Sequence, residues 1–436
     1  FKASSMQESK QGGELAEAYY NAGLSYQRCG DDANAKEQFS KAVELDKAFH
    51  RARAQIALYK YKESGNLDAA VGELDQIIKD AKFQNVEALV SLAALQMARG
   101  GSTSGTGCNN DFACAQLNLQ RALAIDDSFM PAFNQLALYY LEQAKAEASD
   151  GKKGKKGGLV VAGSKKGKVN KQRLDLAALV ASQAQKKNPN YAPIHNTSGL
   201  ILVELENYNG AVQAFARARQ LNPKFFEAQM NYAAVNLSFR GFSEAEKAYR
   251  EALKQRPNTF EAHLGLALAL RGQIEGEKAN QYLAEAQKEL DAAKALDSKR
   301  PETYYNEAIL AEEYRAKRAP DQAASILAFR AAQKQYQEFI TKAGSDAAFA
   351  DAVARSKARA QDIDDTIRFM EETAQREKDQ AEADKKFKED EEKRKKEEEE
   401  AAKKAAAEPP KDAAAPAPAA GAAPAAGAAA PAAPKK

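Results

Sequence analysis

Tryptophan is absent from the 436 residues, and histidine and cysteine number three each. These few are scattered, and no Cys/His group has metal-ligand spacing, so neither a metal nor a cofactor is expected. His50 falls at a predicted helix start with no nucleophile or carboxylate constellation beside it in sequence, and nothing else points to catalysis. No run of about 18 apolar residues occurs, which excludes a membrane-spanning helix. Neither sign of charge dominates: Lys and Arg total 64 against 61 Asp and Glu, net +3, so the overall balance gives no argument for nucleic acid. The glycines near 100–107 and 151–167 open no helix with Gly-Lys-Ser/Thr, which excludes a phosphate-binding loop of that type. The chain begins at Phe1 rather than Met, read as a processed or truncated start that leaves room for a removed leader or a lipid anchor upstream.

What is present is periodicity. Pro189, Pro223 and Pro257 are each 34 residues from the next. Between them Gly199 is answered by Ala233, Tyr208 by Phe242, Ala211 by Ala245, Phe215 by Tyr249 and Ala218 by Ala252, all again 34 apart. Small and aromatic residues in fixed phase predict two short antiparallel helices per repeat, with a proline ending the second. The pattern resembles the tetratricopeptide repeat (TPR). That resemblance implies an all-α superhelical solenoid whose first helices line a concave groove that binds protein segments.

Extending the period gives about eight repeats over residues 14–344. The first carries Tyr19, Ala22, Gly23, Tyr26, Ala35, Phe39 and Ala42 in phase. The third and fourth are interrupted by loop insertions at about 100–110 and 148–172. Residues 1–13 form an N-terminal extension. Residues 345–370, with Phe349, Val353, Ile363 and Ile367 among charges, read as a capping helix. Residues 371–404 are almost entirely charged, with Phe387 as the one large apolar residue; they predict a separate solvated helix about 50 Å long. Its lack of an apolar heptad seam argues against a coiled coil. Residues 405–436 are mostly Ala, Pro and Gly, the composition of a disordered tether, which fully extended reaches about 100 Å.

The TPR resemblance also implies where a ligand would lie, at the second and sixth positions of each first helix. The sixth holds Asn21, Asn231 and Asn306, and the second holds Glu17, Glu87, Glu227, Glu261 and Glu302. Asparagines there can hydrogen-bond an extended backbone. The acids favour a partner segment carrying Lys or Arg and would repel a C-terminal carboxylate, which argues against a cytosolic co-chaperone of the family's carboxylate-binding kind. Glutamates near helix N-termini are also stabilising in their own right. His195 and His263 fall at bulky packing positions, and Cys29 is expected between helices. The first long insertion holds Cys108 and Cys114, six residues apart, either as a small disulfide of an oxidising compartment or as unrelated thiols. The second holds Lys152, Lys153, Lys155, Lys156, Lys165, Lys166, Lys168 and Lys171 without an acid, either a solvated loop or a contact for an anionic surface. With no interleaved aromatic, nucleic acid is disfavoured.

The resulting expectation is a non-enzymatic scaffold. In layout the chain is similar to the TPR components of the myxobacterial adventurous gliding-motility machinery. This similarity implies an envelope complex in the periplasm or at the outer membrane, with peripheral or lipid-anchored membrane association. The alternatives are a pilotin-like assembly factor that holds a client segment in the groove, and a cytoplasmic location.

Overall fold

The structure is a computed structural model, described over residues 12–102, 107–146 and 169–407. The described residues form two units, 1–363 and 364–436 in chain numbering. In the first unit sixteen α-helices pair in chain order. The pairs are α1 (Gly12–Arg28) with α2 (Asp32–Leu45), α3 (His50–Ser64) with α4 (Leu67–Asp80), and α5 (Val86–Arg99) with α6 (Asp111–Ile125). Next come α7 (Met130–Ala146) with α8 (Lys171–Lys187), α9 (Ala192–Glu204) with α10 (Tyr208–Leu221), and α11 (Phe226–Ser238) with α12 (Phe242–Gln255). Last are α13 (Phe260–Arg271) with α14 (Ala279–Leu296), and α15 (Glu302–Ile309) with α16 (Gln322–Ala343). The fold is an all-α TPR solenoid.

The periodic residues explain each pair. Phe39, Phe215 and Tyr249 on second helices are fully buried. Gly23 and Gly199 make room for the first two: a Cβ at Gly23 would stand 2.6 Å from the Phe39 ring, and one at Gly199 2.4 Å from Phe215. Such distances are far inside van der Waals contact, so a larger residue at either place would drive the helices apart. Ala211, Ala218, Ala245 and Ala252 are completely buried beside these rings. Asp31, Asn66, Asn85, Asn110, Asn170 and Asn207 each cap the helix that follows by accepting from the backbone N–H three residues on, which satisfies a donor the helix leaves free.

First helices also touch first helices: α3 meets α5, α5 meets α7, α7 meets α9, α9 meets α11 and α11 meets α13. Second helices pack against the first helices on either side. The solenoid therefore has an inner layer of first helices and an outer layer of second helices.

At the end of the array α15 continues through a π-helical turn, Leu310–Arg315. This turn presents Glu312 to the Tyr336 hydroxyl at 2.6 Å and to the Arg359 guanidinium at 2.9 Å. Arg359 also pairs with Glu313. Ser356 and Ile363, on the start of the last helix, are buried as well.

That last helix differs from the expectation of two. It is one uninterrupted α17, Ala350–Ala407. The reason is legible: no glycine or proline occurs between Gly344 and Pro409, so nothing breaks it. At 58 residues it is about 87 Å long. Within the second unit, pairs one turn apart such as Arg368–Asp364 at 3.0 Å and Lys395–Glu391 at 2.9 Å line an exposed surface. The Ala/Pro segment from 408 onward lies outside the described residues.

Candidate functional face on the first helices

Residues three and four apart share one side of a helix. Glu17, Asn21 and Leu24 therefore lie on one face of α1, and Glu227, Asn231 and Ala234 on one face of α11. This face is stitched from repeat to repeat. Asn231 donates to Asn196 at 2.9 Å, Thr197 donates to Asn134 at 2.7 Å, and Arg271 donates to Asn306 at 2.6 Å. The three predicted asparagines thus have different fates. Asn21 is exposed, Asn231 is half-buried and joined to its neighbour, and Asn306 is buried, with its amide spent on the Glu302 carbonyl at 2.7 Å.

The acids also differ from the expectation. Arg51 lies 3.5 Å from Glu17 and 3.1 Å from Glu87; Arg256 lies 3.0 Å from Glu227; Arg300 lies 2.6 Å from Glu261 and 2.7 Å from Glu302. All five are paired within the chain. Each arginine also covers an aromatic ring: Arg51 over Tyr20, Arg256 over Phe226, and Arg300 over Phe260 at 3.9 Å. Burial alone would lower the Arg300 pKa, but Glu302 and Glu261 more than offset it and hold it above its ordinary value. The face therefore carries neutralised pairs in place of a negative stripe, and the attraction for Lys or Arg shrinks accordingly. What it does present is apolar: Leu24, Leu58, Leu138, Leu200 and Leu268, on five of the eight first helices, are half-buried, each resting on the core from one side.

The two interruptions are treated differently by the fold. In the first, Asp111 is fully buried and accepts from Arg99 twice, at 2.6 and 2.8 Å, and from the Gly101 N–H at 2.7 Å. Burial would raise its carboxyl, but Arg99 and Gly101 hold it below the usual carboxylate range. Cys108 and Cys114 are joined as a disulfide across the same loop. Of the basic insertion, only Lys171 is described, exposed as the first residue of α8; Lys152, Lys153, Lys155, Lys156, Lys165, Lys166 and Lys168 lie outside the described residues.

Cys29 is not between helices: it is exposed in the turn after α1, just before Gly30 at φ +78°. His195 and His263 do more than pack. Each places Nε2 2.8 Å from the carbonyl of the proline six residues earlier, Pro189 and Pro257. Gln229 donates to Pro223 in the same way, at 3.0 Å.

A family model described as a tetratricopeptide repeat matches residues 16–49, which are α1, α2 and the turn that follows. The chain carries tetratricopeptide repeats. Solved TPR structures that resemble it include a thermophilic TPR protein of Thermus thermophilus, 24% identical, covering 51% of this chain and 98% of its own at a TM-score of 0.40. PilF of Pseudomonas aeruginosa is 18% identical, covering 59% of this chain and 97% of its own at 0.40. MamA of Desulfovibrio magneticus is 16% identical, covering 41% of this chain and 89% of its own at 0.34. No curated protein matches the chain. Among the described residues of the TPR array and its C-terminal helix, no group of three His, Cys, Asp or Glu is placed to hold a metal, and no helix is long and apolar enough to cross a membrane.

Proposed function

We propose that the chain is a non-enzymatic scaffold that holds segments of protein partners along its first-helix face, within an assembly of a bacterial cell envelope. The observation that carries this reading is the half-buried leucine at the same position of four first helices, Leu58 on α3, Leu138 on α7, Leu200 on α9 and Leu268 on α13. The core covers each from one side only, and a partner segment would cover the other. Because the acids beside them are paired with arginines, the recognition offered here is chiefly apolar contact plus hydrogen bonding by exposed groups such as Asn21. The envelope part rests on different observations. The Cys108–Cys114 disulfide suits an oxidising compartment, and a charged helix followed by an Ala/Pro segment suits a spacer, the layout shared with gliding-motility components.

Isolation of the tagged chain from native membranes tests this. Co-purification of envelope proteins in a stable complex is expected; recovery of a single soluble client would favour an assembly factor and overturn the scaffold. Alkylation of the native protein followed by mass spectrometry tests the compartment. Cys108 and Cys114 should resist labelling until reduced, and labelling of both as free thiols would remove the support for an oxidising compartment.

A further inference from the structure

Among the arginines of the first-helix face, Arg271 stands apart. Arg51, Arg256 and Arg300 each meet one or two carboxylates. Arg271, the last residue of α13, makes no ion pair among the described residues; its hydrogen-bond partner is the neutral Asn306 Oδ1 at 2.6 Å. Asn306 cannot turn away, because its amide donates to the Glu302 carbonyl. Burial pushes the Arg271 pKa below its ordinary value, and Tyr314, Tyr305 and Tyr336 act on it only weakly in the opposite sense. Glu312, on α15's continuation, is already committed to Tyr336 and Arg359.

A guanidinium carries five donors in a planar fork. Asn306 takes one. Arg271 is half-buried, so part of it still reaches the surface. A desolvated cation with neutral neighbours is costly unless an anion completes it. We propose that Arg271, held by Asn306, is a binding point for the carboxylate of an acidic side chain on a partner segment lying along the first-helix face. The face continues on both sides of Arg271, onto α11 and onto α15, so a segment crossing here need not end. Arg271 itself stands outside the second and sixth positions of its helix, which are Glu261 and Gly265, while Asn306 is the sixth position of α15. The proposal rests on the reading of this face as a surface for protein segments.

Selection of peptides from a random display library on the full chain, with affinities then measured on variants, tests both. Selected peptides should share an Asp or Glu at a fixed place. R271Q should weaken them by at least about tenfold, and changing that acid to its amide should cost as much on the natural chain and nothing further on R271Q. N306D, which supplies the missing acid from within, should abolish the acidic preference while the chain stays folded. Equal binding to R271Q and the natural chain overturns the carboxylate site and leaves the peptide-binding face standing. Loss on amidating the peptide C-terminus, with no effect of the side-chain change, overturns the assignment to a side chain. Failure to select any peptide overturns the face itself.

Discussion

His263 Nε2 lies 2.8 Å from the Pro257 carbonyl, and its Nδ1 lies 2.6 Å from Glu289. The side chain thereby ties the start of α13 to the turn before it and to α14. Gln229 performs the first of these tasks one repeat earlier. H263Q keeps the first tie and should cost less than H263L, which loses both and should cost about 1–2 kcal/mol from a lost hydrogen bond and a partly stranded Glu289. Urea unfolding of the two variants against the natural chain checks this.

Asp111 predicts a pH dependence. Its carboxyl is held below the ordinary carboxylate value, so the stability it contributes is present above that value, near pH 4, and is lost as pH falls through the lower folded value. D111N should cost roughly 2 kcal/mol at neutral pH, because Arg99 keeps only its longer contact with Asp68. The gap between variant and natural chain should narrow on acidification below about pH 4. Denaturant midpoints measured at neutral and acid pH decide it; a gap that stays constant would contradict the role given to the ionised carboxylate.

Tyr249 is fully buried, and its hydroxyl has no hydrogen-bond partner among the described residues. Burial raises its pKa strongly, so it stays a neutral phenol. The equivalent residue one repeat earlier is Phe215. Y249F removes the stranded hydroxyl and should raise stability by about 1 kcal/mol, read as an upward shift in the thermal midpoint.

Much of this fold was legible in the sequence because each repeat is decided locally. Gly199 and Phe215 must meet once the two helices form, whatever the neighbouring repeats do. The uninterrupted α17 was equally legible in the absence of glycine and proline between 344 and 409, although composition alone suggested a division at 370. The face was harder to read. Glu17, Glu87, Glu227, Glu261 and Glu302 sit at the positions the family pattern assigns, but, apart from Glu302 and its neighbour Arg300, their arginines are 29 to 39 residues away. Which arginine reaches which acid depends on how one repeat stacks on the next. The proline pins did leave a signal, since Pro189, Pro223 and Pro257 are each followed six residues later by His195, Gln229 or His263. A donor in constant phase with a turn carbonyl points to a hydrogen bond, not to packing alone. Cys29 misled because a small apolar residue beside a helix end looks buried until the turn at Gly30 sets its direction.

Binding of partners at the inner layer of first helices is open to direct test. Site-specific photo-crosslinking in native cells tests it directly, with the reactive side chain placed at Leu200 or Leu268 on the first helices, or at exposed Leu179 on second helix α8. Discrete crosslinked products are expected from positions 200 and 268 and none from 179. Equal products from all three positions, or products from 179 alone, would contradict it.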